Sequence, residues 1–282
     1  MSRGILLIAH DTNLVSYGRL ADFASNAIRK NLPELKITLI TDFRTRITKS
    51  NFDHIIFQEI KDENIRFDVN TNQKNAWYNT DRSNAYILTP YDQTILIDVD
   101  YMVNTNILMK LFNQNIDFLC HNSMSSLTGN NFENSNTLGL TKIPFAWATV
   151  IYFKKSNYAS NIFDLWNHVK VNWKYYTTLY NIPNESFRND FALSIALHMA
   201  NGQINHNRFI PWNLMNVPNQ VQDIKIKWKN KRYNIEMCYD KYNDKLKYLQ
   251  KQSILLTNND MHFLNKDLFM KVAMIMGYES NE

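Results

Sequence analysis

The 282-residue chain is 45% hydrophobic and 13% aromatic with only six Gly and six Pro, which supplies a sizeable core and excludes a disordered or loop-dominated protein. Its net charge of +5, from 31 basic and 26 acidic residues, suits an anionic small substrate or a polyanionic partner, and equally a solvated surface with surplus Lys. Cys120 and Cys238 are too few and too far apart for a disulfide framework or a Cys-rich zinc site. No stretch approaches the roughly 20 apolar residues of a membrane span, and the apolar core near Met1 is too short for a signal peptide, so a soluble, cytoplasmic protein is expected.

In chain order, Gly4 to Ala9 predicts a buried strand, Leu14 to Arg29 a helix, Lys36 to Thr41 a second strand ending at Asp42, and Asp53 to Phe57 a third. Strand, helix, strand is the opening of a nucleotide-binding α/β half. Asn75 to Leu88 reads as a helix carrying Trp77, Tyr78 and Arg82, and Ile116 to Cys120 as a short strand. From Asn122 to Lys142 the chain is rich in Ser, Thr, Asn and Gly, as in a loop beside a site. Phe145 to Phe153 returns to strand, a long amphipathic helical pattern runs to Tyr180, and Glu185 to Met199 is a helix with Gly202 as its stop. Arg208 to Pro211 reads as a strand. Beyond Val217 come a basic segment, a polar helix near Tyr239 to Lys251 and a terminal amphipathic helix from Lys266 to Met276.

The chemistry concentrates between Thr89 and Val103, where Ile95-Leu96-Ile97 runs into Asp98-Val99-Asp100. Three consecutive apolar residues mark a strand buried on both faces, and side-chain alternation sends Asp98 and Asp100 to one face. In open α/β sheets ligands bind beyond the carboxyl ends of the strands, where this pair falls. Two hard oxygen donors without nearby Cys or His suit Mg2+ or Mn2+ together with phosphate oxygens and water. The other reading is a strand end, with Asn104 or Thr105 capping the next helix.

Together, Leu88-Thr89-Pro90-Tyr91-Asp92, the apolar strand and Asp98-Val99-Asp100 resemble the GT-A fold of nucleotide-sugar glycosyltransferases, whose central motif is a hydrophobic strand, Asp-x-Asp and an apolar tail. Ala9-His10-Asp11-Thr12 with Tyr17 is similar to the first strand of family 8-like members, where the nucleoside sits. Phe145 to Lys155 looks like the strand after the acceptor loop, and Asn189-Asp190-Phe191 resembles the start of the helix on the far side of the donor sugar. Met261-His262-Phe263-Leu264-Asn265-Lys266 resembles the motif whose His is a third metal ligand and whose Lys touches diphosphate. The spacing from His262 to Lys266 is shorter than usual, no Gly or Lys-Pro-Trp accompanies it, and the strand from Phe145 lacks the usual Asn-Ser-Gly.

The resemblance implies an α/β fold of GT-A (Rossmann-like) type: a mixed, mainly parallel sheet flanked by helices, with a C-terminal helical extension. It implies one catalytic domain, 1–282, with a nucleotide-sugar-binding half (1–120), an acceptor-side half (121–215) and the extension (216–282). The implied activity is transfer of a hexosyl or pentosyl group from a nucleotide diphosphate sugar, UDP-linked, to a hydroxyl, with Mn2+ or Mg2+ on Asp98, Asp100 and His262. Donor contacts would come from His10, Asp11, Tyr17, Asp42, Arg82 and Lys266, and Asp190 would orient the sugar or receive a proton. Each position has a plainer alternative. Tyr17 can be core, Asp11 and Asp190 can be helix caps, Arg82 a surface ion pair and His262 a surface residue.

Two acceptor classes stay open, a glycan or the hydroxymethylated DNA that bacteriophage DNA glucosyltransferases modify, the latter placing the protein in the host cytoplasm if phage-encoded. Lys225, Lys227, Trp228, Lys229, Lys231 and Arg232 interleave charge with an aromatic, as a nucleic-acid contact or as a protected edge strand. A non-catalytic nucleic-acid-binding protein would leave the aspartate pair unexplained. A nucleotidyltransferase would want a Gly-rich loop after the first strand, and Asp11 to Arg19 holds only Gly18.

Overall fold

Continuous apolar runs form the centre of the fold because each is buried on both faces. The computed structural model describes residues 1–60, 64–68, 73–79, 81–127, 137–138, 141–182, 186–205, 208–219, 221–229, 232–243 and 246–279. In chain order the elements are β1 (Arg3–Ile8), α1 (Tyr17–Asn31), β2 (Lys36–Thr41), β3 (His54–Phe57), β4 (Asn64–Asp68), β5 (Gln73–Trp77), α2 (Ala85–Leu88), β6 (Gln93–Ile97), β7 (Tyr101–Met102), β8 (Phe118–His121), β9 (Met124–Ser126), β10 (Thr137–Leu138), β11 (Ile143–Pro144), β12 (Trp147–Lys154), α3 (Asn157–Val171), α4 (Trp173–Leu179), α5 (Asn189–Ala200), β13 (Leu214–Val217), β14 (Val221–Lys229), β15 (Arg232–Asn243), β16 (Leu246–Leu255), β17 (Met261–Phe263) and α6 (Lys266–Ile275).

The main sheet has the order β3-β2-β1-β6-β12-β8. β3, β2, β1 and β6 pair in parallel, and β12 runs against both β6 and β8. The architecture is therefore mixed α/β with a mainly parallel sheet flanked by helices, as the sequence predicts. Alternation along the strands divides the core in two. Ile5, Leu7, Ile95 and Ile97 face α1 and α6, while Leu6, Leu96, Ile151 and Phe153 face α3 and α5, with Trp166 fully buried among them. No described helix is long and apolar enough to cross a membrane.

A second sheet, β7-β17-β13-β9, sits beyond the end of β6 and brings the distant segment Met261–Phe263 beside Tyr101 and Met102. Asp260 pins this junction: its Oδ1 accepts from the backbone N–H groups of Asn104 (2.8 Å) and Thr105 (2.7 Å). The remaining C-terminal strands form an antiparallel sheet, β14-β15-β16.

Several local expectations are corrected. The described residues of Tyr239 to Lys251 are not a helix but parts of β15 and β16, paired from Asn234↔Leu255 to Asn243↔Leu246, while residues 244–245 lie outside the described residues. Its apolar residues at 239, 242, 246 and 249 mimic a helical period, but pairing with a partner strand overrides a weak local signal. Asn75 to Leu88 begins as β5, hairpinned to β4, and becomes helical only at Asp81–Asn84 and α2. Arg208 to Pro211 is irregular, and the strand lies three residues later as β13. The segment from Asn122 to Lys142 contains β9 and β10, while residues 128–136 and 139–140 lie outside the described residues.

Two buried groups give opposite pH dependences. Burial raises the Asp260 carboxyl to about 6, against its backbone hydrogen bonds, and burial lowers His121 to about 4, against its bond to the Trp212 carbonyl. The raised acid stabilises the fold at low pH and that stabilisation is lost as pH rises through about 6; the depressed histidine stabilises above about 6.5 and its contribution is lost as pH falls toward 4. Each is worth ~3 kcal/mol over its window at 1.36 kcal/mol per unit. Urea denaturation should therefore show Asp260→Asn more stable than the parent at pH 7 and nearly equal to it at pH 4. His121→Asn should lose stability relative to the parent at pH 7 more than at pH 4.

Candidate functional site

β6 ends at Ile97, so Asp98, Val99 and Asp100 are not strand residues as the alternation argument assumes. They form a turn in which Tyr101 N–H donates to the Asp98 carbonyl (3.0 Å) and Asp98 N–H to the Thr149 carbonyl of β12 (2.9 Å). The turn still converges the two carboxylates, but each is held from a different side. Arg82, 1% exposed, donates through Nη1 to Asp98 Oδ1 (2.6 Å) and through Nη2 to the Ala148 carbonyl (2.6 Å). Lys266, the first residue of α6, donates to Asp100 Oδ2 and to the Phe263 carbonyl (3.1 Å). His262 Nε2 on β17 lies 3.3 Å from Asp100 Oδ1, within ion-pair range although that oxygen makes no hydrogen bond of good geometry.

One ligand atom each from Asp98, Asp100 and His262 lies within 4.8 Å of the others. Burial works to raise Asp100, but the Lys266 ammonium and His262 outweigh it and hold the carboxyl well below the usual range. Asp98 moves the other way: burial raises it, the Asp100 charge adds to the rise, and Arg82 opposes both. Its side chain keeps 26% of its surface open, toward the cavity. Two carboxylates and an imidazole gathered this closely, with Oδ1 of Asp100 lacking a hydrogen-bond partner among the described residues, fit a divalent cation of the Mg2+ or Mn2+ kind.

These residues line a cavity of about 340 Å3. It runs across the C-terminal ends of β1 and β6 to the N-terminal end of the reversed β12, contributed by Trp147, Ala148 and Thr149. Asp190, in the first turn of α5, faces it with Oδ1 accepting from Ala148 N–H (2.9 Å) and Oδ2 3.6 Å from Arg188. Thus three carboxylates in the wall each have a cation: Asp98 with Arg82, Asp100 with Lys266, Asp190 with Arg188.

The residues after β1 and β2 divide. His10 lines the cavity, its Nδ1 3.2 Å from Asp42 Oδ2, and burial lowers its pKa against that hydrogen bond. Tyr17 belongs both to the wall and to the packed core, so its two sequence readings coexist. Asp42 and Asp11 are not in the wall. Asp42 orients His10 and accepts from Arg44 and Thr45 N–H, while Asp11 accepts from Gly18 N–H (2.8 Å) and Arg46 N–H (3.2 Å). Gly18 is needed for packing: a Cβ there would lie 2.0 Å from the Arg46 carbonyl oxygen.

Lys225, Lys227, Trp228, Lys229 and Arg232 lie on the β14–β15 hairpin and do not line the cavity; Lys231 lies outside the described residues. Sequence reasoning missed the wall residues Asn79, Trp147, Arg188 and Asn189. The only signal was their place beside identified motifs, Asn189 next to Asp190 and Trp147 at a strand start.

Removing Arg82 leaves Asp98 without its cation and the Ala148 carbonyl without its donor. Arg82→Met should destabilise by about 3 kcal/mol, and Asp98→Asn in the same chain should recover part of the loss, giving a non-additive double-mutant cycle in urea.

No protein-family model matches the chain, and no curated protein does. Among solved structures the chain is similar to the apo form of the glycosyltransferase GlyE from Streptococcus pneumoniae TIGR4, at 13% identity and a TM-score of 0.43 over 74% of this chain and 45% of that one. It is similar to the galactosyltransferase LgtC in complex with donor and acceptor sugar analogs, at 12% identity and a TM-score of 0.46 over 69% of this chain and 70% of that one. It is also similar to S. aureus TarS 1-349 in complex with UDP-GlcNAc, at 12% identity and a TM-score of 0.37 over 74% and 55%. The chain spans less than half the length of the GlyE chain.

Proposed function

We propose that this protein is a metal-dependent glycosyltransferase that moves a sugar from a nucleotide diphosphate sugar, UDP-linked, to a hydroxyl group. The observation that carries it is the convergence of Asp98, Asp100 and His262, backed by Lys266 and Arg82, in the wall of one cavity large enough for part of such a donor. Bound there, Mn2+ or Mg2+ supplies positive charge against the leaving diphosphate.

The chain's own residues divide the remaining work. Lys266 holds Asp100 ionised and adds a second positive charge beside the phosphates. Arg82 fixes Asp98 against β12, so the turn does not drift when ligand arrives. Because every wall carboxylate is already paired, a dication with a diphosphate adds little net charge to the site.

His10 and Tyr17, on the β1 side of the turn, suit the nucleoside; Asp190, on the β12 side, suits the sugar or the acceptor hydroxyl. Around Asp190, Asn79 Oδ1, Trp147 Nε1, Arg188 Nε and Asn189 Oδ1 are buried without hydrogen-bond partners among the described residues. A polyhydroxylated ring offers donors and acceptors to such atoms, which are costly to leave unmade. With its Oδ1 fixed by Ala148, Asp190 has its other oxygen to orient a sugar hydroxyl or to accept a proton from the acceptor. The acceptor class is a glycan hydroxyl or a hydroxymethyl group on DNA.

The test is a panel of UDP-, GDP- and CDP-sugars with Mn2+, with and without hydroxymethylated DNA, read as nucleoside diphosphate release and as thermal stabilisation. A UDP-sugar should stabilise the protein only with the metal, and Asp100→Ala should abolish that stabilisation and lower turnover at least 100-fold. If no nucleotide sugar binds in the presence of metal, the proposal fails. Asp190→Asn keeps the bond to Ala148 N–H and should lower kcat by about 10²–10⁴-fold with donor KM little changed.

A further inference from the structure

The basic segment singled out in the sequence has no part in the cavity, and the structure gives it a defined face. In the β14–β15 register Lys225 pairs with Glu236, Lys227 with Asn234 and Lys229 with Arg232, while Ile226 pairs with Ile235 and Trp228 with Tyr233. Alternation therefore puts Lys225, Lys227, Lys229 and Arg232 on one face of the hairpin. The opposite face is the inner one: Ile235 is fully buried, and Ile226 and Tyr233 pack against the core. All four cations are exposed. Among the described side chains Glu236, 2.7 Å from Lys227, is the carboxylate that tempers them, and Lys225, Lys229 and Arg232 have no ion pair with a described carboxylate.

Toward the tip the inner face outruns the core. Trp228 is 62% exposed and rests against Tyr233 with ring centroids 4.5 Å apart. Lysines also guard an edge strand against pairing, but that role does not call for a solvent-exposed aromatic at the tip. Successive lysines on one face lie about 7 Å apart because a strand advances about 3.4 Å per residue. A line of point charges with one aromatic at its end matches a linear phosphodiester strand carrying an unpaired base. It matches an anionic membrane less well, since stable attachment to a bilayer needs a larger apolar anchor beside the charge.

We propose that the tip of the β14–β15 hairpin binds single-stranded nucleic acid, its outer-face lysine row and Arg232 contacting phosphates and Trp228, which projects past the core on the other face, stacking a base that reaches round the exposed edge of β14. The site is independent of the cavity and requires neither metal nor sugar donor.

Fluorescence anisotropy of labelled (dT)12 with the whole chain, without metal or nucleotide sugar, tests it separately from the transferase proposal. Three to four phosphate contacts predict a slope of log K against log salt of about −2 to −3, and the triple variant Lys225→Gln, Lys227→Gln, Lys229→Gln should flatten it by about 2 units and weaken binding at least tenfold. Glu236→Gln should tighten binding, and Trp228→Ala should weaken it several-fold with the slope unchanged. Thermal melts check that the outer-face variants remain folded. The proposal is overturned if (dT)12 does not bind at 50 mM salt, if the triple variant binds as the parent does, or if the protein is retained by vesicles of 30% anionic lipid while ignoring the oligonucleotide.

Discussion

The candidate site depends on one buried guanidinium. Arg82 is almost completely enclosed, yet it belongs to a short helical turn between a surface hairpin and α2, 16 residues from one group it holds and 66 from the other. By donating to Asp98 and to the Ala148 carbonyl it welds the end of β6 to the start of β12 at the point where the parallel part of the sheet meets its reversed strand. A buried cation costs several kcal/mol unless its partners are well placed, so Asp98 and the β12 backbone cannot move independently of it. The position of the aspartate turn is a consequence of that constraint.

A second tie acts from the other side. Asp100 is gripped by Lys266 and faces His262, both from a segment more than 160 residues later that reaches the site through the small β7-β17-β13-β9 sheet. Asp260 secures that sheet by capping the backbone after β7. The two carboxylates are neighbours in sequence but are stabilised by opposite halves of the molecule, and their acidities are driven apart accordingly. Pairing each wall carboxylate with its own cation lets a charged cluster exist in a partly buried cavity without a large net field.

The C-terminal strands illustrate how the same chain divides its surfaces. Ile226, Ile235 and Tyr233 attach the β14–β15 hairpin to the core shared with α1 and α6, which leaves its outer face free to carry charge. Charge here lies on a rigid strand rather than on a loop, so its spacing is set by backbone geometry.

Much of this was legible in the residues themselves. The apolar runs Ile5 to Ile8 in β1 and Ile95 to Ile97 in β6 read as doubly buried strands, and the aspartate pair at the end of the second marks the edge where a parallel sheet binds its ligand. Gly202, at φ +67°, ends its helix as its residue type requires. Local periodicity misjudged Tyr239 to Lys251 and Asn75 to Trp77, because strand pairing is a contact between distant segments and leaves only a weak trace in either one. The sequence by itself determined which side chains have the chemistry for a cation and an anionic ligand. Only the tertiary structure decided that Asp98 and Asp100 meet in a turn and not along a strand, that Asp11 and Asp42 serve the backbone and His10 instead of the cavity, and that Asn79, Trp147, Arg188 and Asn189 join the wall. The reason is that a cavity is defined by what several distant segments leave unfilled, and no single segment carries that information.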